Sequence, residues 1–304
     1  VAAGEGVLLT DPAYPCVRNF IHLLSAQPQL IPVGIEQNFQ PTIEQLDQYC
    51  QANPTGLWLA SPSNPTGTII ERPHLQAACD WAQKKNCHLL VDEIYHGLHY
   101  VDDLPSVLEL DQSCFVVSSF SKYFGITGWR LGWIVVPEPY IEMANILAQN
   151  LYISASSIAQ YAALAAFEDE TRLIFEQRRE AFRGRRDYLS EALKGLGFIL
   201  PEQTQGAFYL YADISRFSHD SEEFCADMLQ QHGVAITPGT DFGECNGNRF
   251  VRFAFTTNMD NLELAVARLI NGSNKADNRD ALGNPEALDR IRECLDEAGL
   301  LPKG

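Results

Sequence analysis

Three segments of this 304-residue sequence carry groups able to hold and polarise a small anionic molecule. SPSNPTG, from Ser61, offers the amide of Asn64, and DEIYHG, from Asp92, offers the carboxyl of Asp92 and the phenol of Tyr95. SSFSKYFGITGWRLG, from Ser118, brings the hydroxyls of Ser119 and Ser121, the amine of Lys122 and the guanidinium of Arg130. A lysine amine can add to a carbonyl and then shuttle a proton, and an acid beside it can tune both steps. An arginine fork with neighbouring hydroxyls suits phosphate oxygens. Each group also has an ordinary role open to it: a surface lysine, a helix cap at Asp92, a Pro-adjacent turn at Asn64.

The elements that must position these groups favour the chemical role. Each segment follows a short apolar run, Leu57–Ala60, His88–Val91 or Phe115–Val117, and an earlier run, Val7–Leu9, leads into DPAYP with Tyr14. None of the runs alternates, as expected of strands buried on both faces of a mostly parallel sheet. Between two of them, RPHLQAACDWAQKKN places Pro73 in a first helical turn and Leu75, Ala78, Cys79 and Ala82 on one face. Strand, helix and strand in that order predict an α/β fold. Ligands of open α/β sheets bind beyond the carboxyl ends of the strands, so the groups are expected to converge.

Further along, residues 157–193 read as one long helix whose Arg178, Arg179, Arg183, Arg185 and Arg186 alternate with Glu176, Glu180 and Asp187, a solvated face. Strands at 207–211 and 250–255 around a helix at 221–232 predict a smaller α+β unit. Arg252 stands inside the apolar strand FVRFAF, where an unpaired arginine is costly and so points to a ligand, whereas Arg249 reads as a loop charge. Residues 271–284 read as a polar linker and 285–301 as a short amphipathic helix. The division predicted is a large domain over 1–165, a small one over 166–270 and a tail over 271–304.

Composition narrows the class. Hydrophobic residues make up 46% and charged residues 20%, as in a soluble globular protein. A net charge of −17 without a Lys/Arg-dense stretch argues against nucleic acid, and no apolar run is long enough to span a membrane. Eight cysteines show neither a CxxC pair nor a metal-ligand rhythm, which favours a reducing, cytoplasmic setting. His96 and His99 are not joined by further ligands, so no metal is expected.

The stretch from Ser119 to Gly132 resembles the pyridoxal-phosphate attachment pattern of class I aminotransferases, and DPAYP, SPSNPTG and DEIYHG resemble that family's other signatures in order. The resemblance spans roughly residues 6–270 and implies a fold type I transferase. It implies that Lys122 holds the cofactor aldehyde as a Schiff base and moves the substrate α-proton. Asp92 then pairs with the pyridine nitrogen, and Tyr95 and Asn64 hydrogen-bond the ring's phenolic oxygen. Tyr14 stacks on the ring, Ser119, Ser121 and Arg130 hold the phosphate, Arg252 clamps the substrate α-carboxylate, and Asn64 also contacts the substrate. GAFY (206–209) and PGTDFG (238–243) resemble pocket-lining segments without catalytic roles. The implied reaction transfers an amino group between an L-amino acid and a 2-oxo acid in a homodimer. The bend sequence leans toward the branch handling aspartate, alanine or aromatic amino acids.

Family members carry an arm and a phosphate-cupping loop upstream of DPAYP. By that measure about a hundred residues are expected to precede this stretch, and the 304 residues alone are expected to be inactive. Two other readings share the same residues: a β-lyase or racemase, and an aminotransferase-like sensor domain of a regulator.

Overall fold

The computed structural model describes residues 1–50 and 54–272. Strands β1 (Gly6–Asp11), β2 (Gln27–Pro32), β3 (Gly56–Ala60), β4 (His88–Asp92), β5 (Phe115–Ser119) and β6 (Gly132–Val135) form one sheet in the order β2-β1-β3-β4-β5-β6. All pairs are parallel except β5 with β6, which form an antiparallel hairpin. The chain is α/β, as its sequence predicts.

Helix α1 (Pro15–Leu23) follows β1, α2 (Ile43–Tyr49) follows β2, and α3 (Arg72–Lys85) joins β3 to β4. Pro73 sits in the first turn of α3, and Asn86 ends the helix in the left-handed conformation at φ 53°. The apolar face of α3, with Leu75, Ala78, Cys79 and Ala82, packs with Leu57, Leu59, Leu89, Val91 and Val116 of the sheet. Each such buried aliphatic side chain contributes about 1.5–3 kcal/mol, so this layer fixes where the strand ends lie.

The second layer differs in detail from the sequence reading. The long helix is interrupted: α4 (Ile141–Tyr152) and α5 (Ser157–Leu164) precede a single tight turn at Ala165–Phe167 and then α6 (Asp169–Leu196). Glu168 is extended at the break, and Asp169 and Glu170 occupy the first turn of α6, where the helix dipole favours acids. A second sheet combines β7 (Tyr209–Asp213), β8 (Thr237–Pro238) and β9 (Phe250–Ala254) in the order β7-β9-β8, with α7 (Ser221–His232) beside it. The strand expected at 207–211 starts two residues later because Ala207 takes a positive φ of 56°. Helix α8 (Met259–Gly272) covers this unit and was not expected from the sequence; it takes in the first two residues of the anticipated linker. The rest of that linker and the tail helix lie outside the described residues.

One surface is unusually apolar. β6 is the sheet's edge and all four of its residues are exposed, α4 buries no side chain, and Leu151, Tyr152, Ile153, Ile158 and Tyr161 face outward at 65–83% exposure. Apolar patches of this kind mark interaction surfaces.

Candidate active site

Strands β1, β3, β4 and β5 are consecutive neighbours, so their carboxyl ends stand in a row. Tyr14 comes three residues after β1, Asn64 four after β3, Asp92 closes β4 with Tyr95 beyond it, and Lys122 comes three after β5. Segments distant in sequence are thereby brought to one edge, as expected.

The turn carrying Asn64 is held by Ser63 N donating to Thr68 O at 2.9 Å and Gly67 N donating to Ser63 O at 2.9 Å. Gly67 is required there: φ is +67°, and a Cβ would stand 2.6 Å from Thr204 Cγ2 and 2.8 Å from the Tyr209 carbonyl. Gln205 N and Gly206 N both donate to the Gly67 carbonyl, docking the turn against the start of β7. Asn64 is buried, and its Oδ1 accepts from Arg252 Nη1 at 2.8 Å.

The segment carrying Lys122 is the loop of the β5–β6 hairpin, in which Ser119 pairs with Gly132. Phe120 N donates to Leu131 O at 3.1 Å, Ile126 N to Phe120 O at 3.1 Å, and Thr127 Oγ1 to Ser121 O at 2.6 Å. The Ser119 and Ser121 hydroxyls lie 2.8 Å apart, and Ser121 N donates to Ser119 Oγ at 2.9 Å. Arg130, left-handed at φ 53°, returns to the same end of the hairpin as Ser119 with its guanidinium exposed. Among the described residues its guanidinium bonds only from Nη1 to Thr127 O, at 3.1 Å, so most of its donors remain available.

Arg252 projects from the middle of β9 between two aromatic faces, 4.1 Å from the Tyr209 ring centre and 4.7 Å from that of Phe242. Its Nη2 donates to Thr237 Oγ1 at 3.3 Å, while its Nε is buried without a partner. The expectation that this arginine lacks protein partners is corrected: neutral oxygens and rings hold it, and among the described residues no carboxylate pairs with it. Arg249, read as a loop charge, instead pairs with the buried carboxylate of Asp213 at 2.5 Å. The sequence did not single out Tyr209, Phe242 or Thr237 individually. GAFY and PGTDFG flagged the first two segments, while Thr237 carries no local signal because it meets Arg252 only through the β8–β9 pairing.

The electrostatics tie these groups together. Burial lowers the proton affinity of Lys122, Arg252 and Arg130 lower it further, and Asp92 opposes them. Among the described residues the Lys122 ammonium makes no hydrogen bond or ion pair; its neighbours are the rings of Tyr95 and Phe208 at 5.7 and 5.8 Å. Burial raises Asp92 to about 6, although Ile94 N donates to its Oδ1 at 3.0 Å and the Lys122 charge favours ionisation. Burial and the neighbouring Tyr209 hydroxyl, 3.3 Å away, keep the Tyr95 phenol firmly protonated. Tyr14 is shifted up chiefly by its bond with Cys16 and also feels Tyr209 and Arg252. A cavity of about 600 Å³ lined by Glu36, Gln40, Thr68 and His74 lies apart and touches none of Lys122, Asp92, Arg130 or Arg252.

An amine of lowered proton affinity, a buried acid, a protonated phenol and two arginines at the carboxyl edge of a mostly parallel sheet define a group-transfer enzyme acting on small anions. Residues 1–269 match the sequence model described as Aminotransferase class I and II. The valine–pyruvate aminotransferase of Mycobacterium tuberculosis is 37% identical over 271 residues, 88% of this chain and 69% of that protein. The (5-formylfuran-3-yl)methyl phosphate transaminase of Methanocaldococcus jannaschii is 32% identical, over 90% of this chain and 70% of that one. The crystal structure of an aminotransferase from Mycobacterium tuberculosis superposes with a TM-score of 0.86 at 37% identity, over 90% of this chain and 70% of that one. The chain belongs to the class I and II aminotransferase family and has the fold type I architecture of its neighbours. It is an aminotransferase, and the lyase, racemase and sensor readings find no support among these relatives.

Proposed function

We propose that the chain binds pyridoxal 5'-phosphate through Lys122 and transfers an amino group between an L-amino acid and a 2-oxo acid. The observation that carries this reading is the convergence on Lys122 of the charges of Asp92, Arg130 and Arg252, with the amine itself left unpaired. The donor set fits the cofactor. The buried Arg252 Nε without a partner and the hydroxyl pair Ser119–Ser121 beside Arg130 suit two separate anions, a carboxylate and a phosphate.

The bound cofactor supplies an aldehyde that takes up amines and a ring that withdraws electrons once its nitrogen is protonated. The chain's own groups do the rest. Asp92, as carboxylate, holds the proton on the ring nitrogen. Tyr95, kept protonated by burial, donates to the phenolic oxygen, and the Asn64 amide nitrogen has the same role, its Oδ1 being taken by Arg252. Tyr14 packs on the ring. Ser119, Ser121 and Arg130 bind the phosphate. Lys122, its proton affinity lowered by burial and the two arginines, is the base that moves the substrate α-proton. Arg252 binds the α-carboxylate, its plane fixed by Tyr209 and Phe242. Replacing Arg252 by Gln is expected to raise KM for the amino acid about 100-fold, with a smaller change in kcat; steady-state kinetics with varied donor check this.

A screen of single amino acids, following keto-acid release and the visible spectrum with and without a second keto acid, tests the reaction. Absence of any amino-acid-dependent keto acid would overturn it. We take residues 1–165 as the cofactor-binding unit, 166–270 as the smaller unit, and the working enzyme as a cytoplasmic homodimer. The exposed apolar side chains of β6, α4 and α5 support a second copy, and the seven free cysteines among the described residues support a reducing compartment. No described helix is long and apolar enough to cross a membrane. Multi-angle light scattering should give twice the chain mass; a monomer at micromolar concentration would remove the dimer.

A further inference from the structure

The sequence shows no metal-ligand rhythm, yet the fold assembles one away from the site already described. Cys79 lies on α3, Asp111 in the loop before β5, and Cys114 immediately before β5, at the end of that strand opposite Lys122. The two sulfurs and a carboxylate oxygen of Asp111 all lie within 4.8 Å of one another. Ligands of a tetrahedral ion with metal–sulfur bonds of about 2.3 Å stand about 3.7 Å apart, so the three need close by no more than about an ångström.

We propose that Cys79, Cys114 and Asp111 bind one thiophilic divalent cation of the zinc class, with a water completing the coordination on the side where Asp111 meets solvent. The cysteines are essentially inaccessible, at 0% and 2% exposure, whereas Asp111 is half-buried. The carboxylate is already oriented: its Oδ1 accepts from Ser113 N at 2.8 Å and Ser113 Oγ at 2.7 Å, and its Oδ2 from Gln83 Nε2 at 2.9 Å. Supporting bonds of this kind are what a metal-binding carboxylate needs. Gln83 is one turn beyond Cys79 on α3, so one helix supplies both a ligand and a support.

The local charge favours a cation. Asp80, next to Cys79 on α3, and Asp111 both place negative charge beside the thiols. Both thiols are buried, which shields them from exchange with a disulfide in solution. A bound divalent cation displaces both thiol protons to solvent, leaving two thiolates and a carboxylate on the ion.

The test uses the 304-residue chain, reduced and stripped with a chelator, titrated with Zn²⁺ against a chromogenic competitor and with Cd²⁺ by ultraviolet thiolate charge-transfer absorption. One equivalent of each ion is expected, with the Cd²⁺ band lost in Cys79→Ser and in Cys114→Ser. Gln83→Ala should weaken binding about tenfold, and Zn²⁺ at about 100 times its Kd should raise Tm by about 4 °C. If a cysteine variant fails to fold, Asp111→Asn and Gln83→Ala decide the matter, since both alter the partly exposed side of the cluster. The proposal is overturned if no stoichiometric site is found, if binding survives in both cysteine variants, if neither Asp111→Asn nor Gln83→Ala weakens it, or if the two cysteines are recovered as a disulfide.

Discussion

Lys122→Ala is expected to lower amino-group transfer by at least about 10⁴-fold and to abolish the cofactor spectrum that responds to amino acids. Two separate properties are lost together. The first is the amine that binds the cofactor, carried by a hairpin loop whose backbone is fixed by bonds at Phe120, Gly125 and Ile126. The second is the base that moves the α-proton, tuned by burial and the two arginines. Lys122→Arg separates packing from chemistry: it keeps the charge beside the Tyr95 and Phe208 rings but should be as inactive as alanine, because a guanidinium does not deprotonate. Retention of more than about a hundredth of parental turnover in either variant, measured with coupled keto-acid detection, would mean that another residue carries the reaction.

Asp92→Asn should separate stability from activity. The folded protein holds this acid at about 6, above the ordinary 3.8, chiefly because burial penalises the carboxylate. Below pH 3.8 the acid is neutral in both folded and unfolded chains and no penalty arises. As pH rises through about 6, the cofactor-free fold must carry a desolvated anion, a cost of about 3 kcal/mol by proton linkage. The amide is free of that cost. The cofactor-free variant should therefore melt about 4 °C higher than the parent at pH 8, with the gap shrinking as pH falls toward 4. Turnover should nevertheless drop about 10²–10³-fold, since an amide cannot hold the ring nitrogen's proton. Differential scanning calorimetry across pH, alongside steady-state rates, reads both effects. Equal melting temperatures at pH 8 would show that Asp92 is better solvated than its position suggests, and unchanged turnover would remove it from the mechanism.

Both predictions rest on residues visible in the sequence, because each follows an apolar strand. β3, β4 and β5 lie inside the sheet, and burial on both faces imposes continuous apolar runs that can be read without coordinates. β2 is the opposite case. As an edge strand it tolerates Gln27, Pro28, Gln29 and Pro32, and a run of that composition resembles a loop. The break between α5 and α6 was hidden for a related reason: Ala165, Ala166, Glu168 and Glu170 are good helix formers, and the packing of Ala163, Ala166 and Phe175 with Phe120 marks where the chain turns.

The sequence by itself determined the α/β class and the identities of Lys122, Asp92, Tyr95, Asn64, Tyr14, Ser119, Ser121, Arg130 and Arg252 as candidates, since local patterning shows which residues end or follow buried strands and which charge, Arg252, stands inside one. Only the tertiary structure decided what those residues meet. The stacking of Arg252 between Tyr209 and Phe242, its bond to Asn64, and the meeting of Cys79 with Asp111 and Cys114 depend on strand order and helix packing. These contacts join positions far apart in the chain, and no local spacing encodes a distance that is set by how two layers pack.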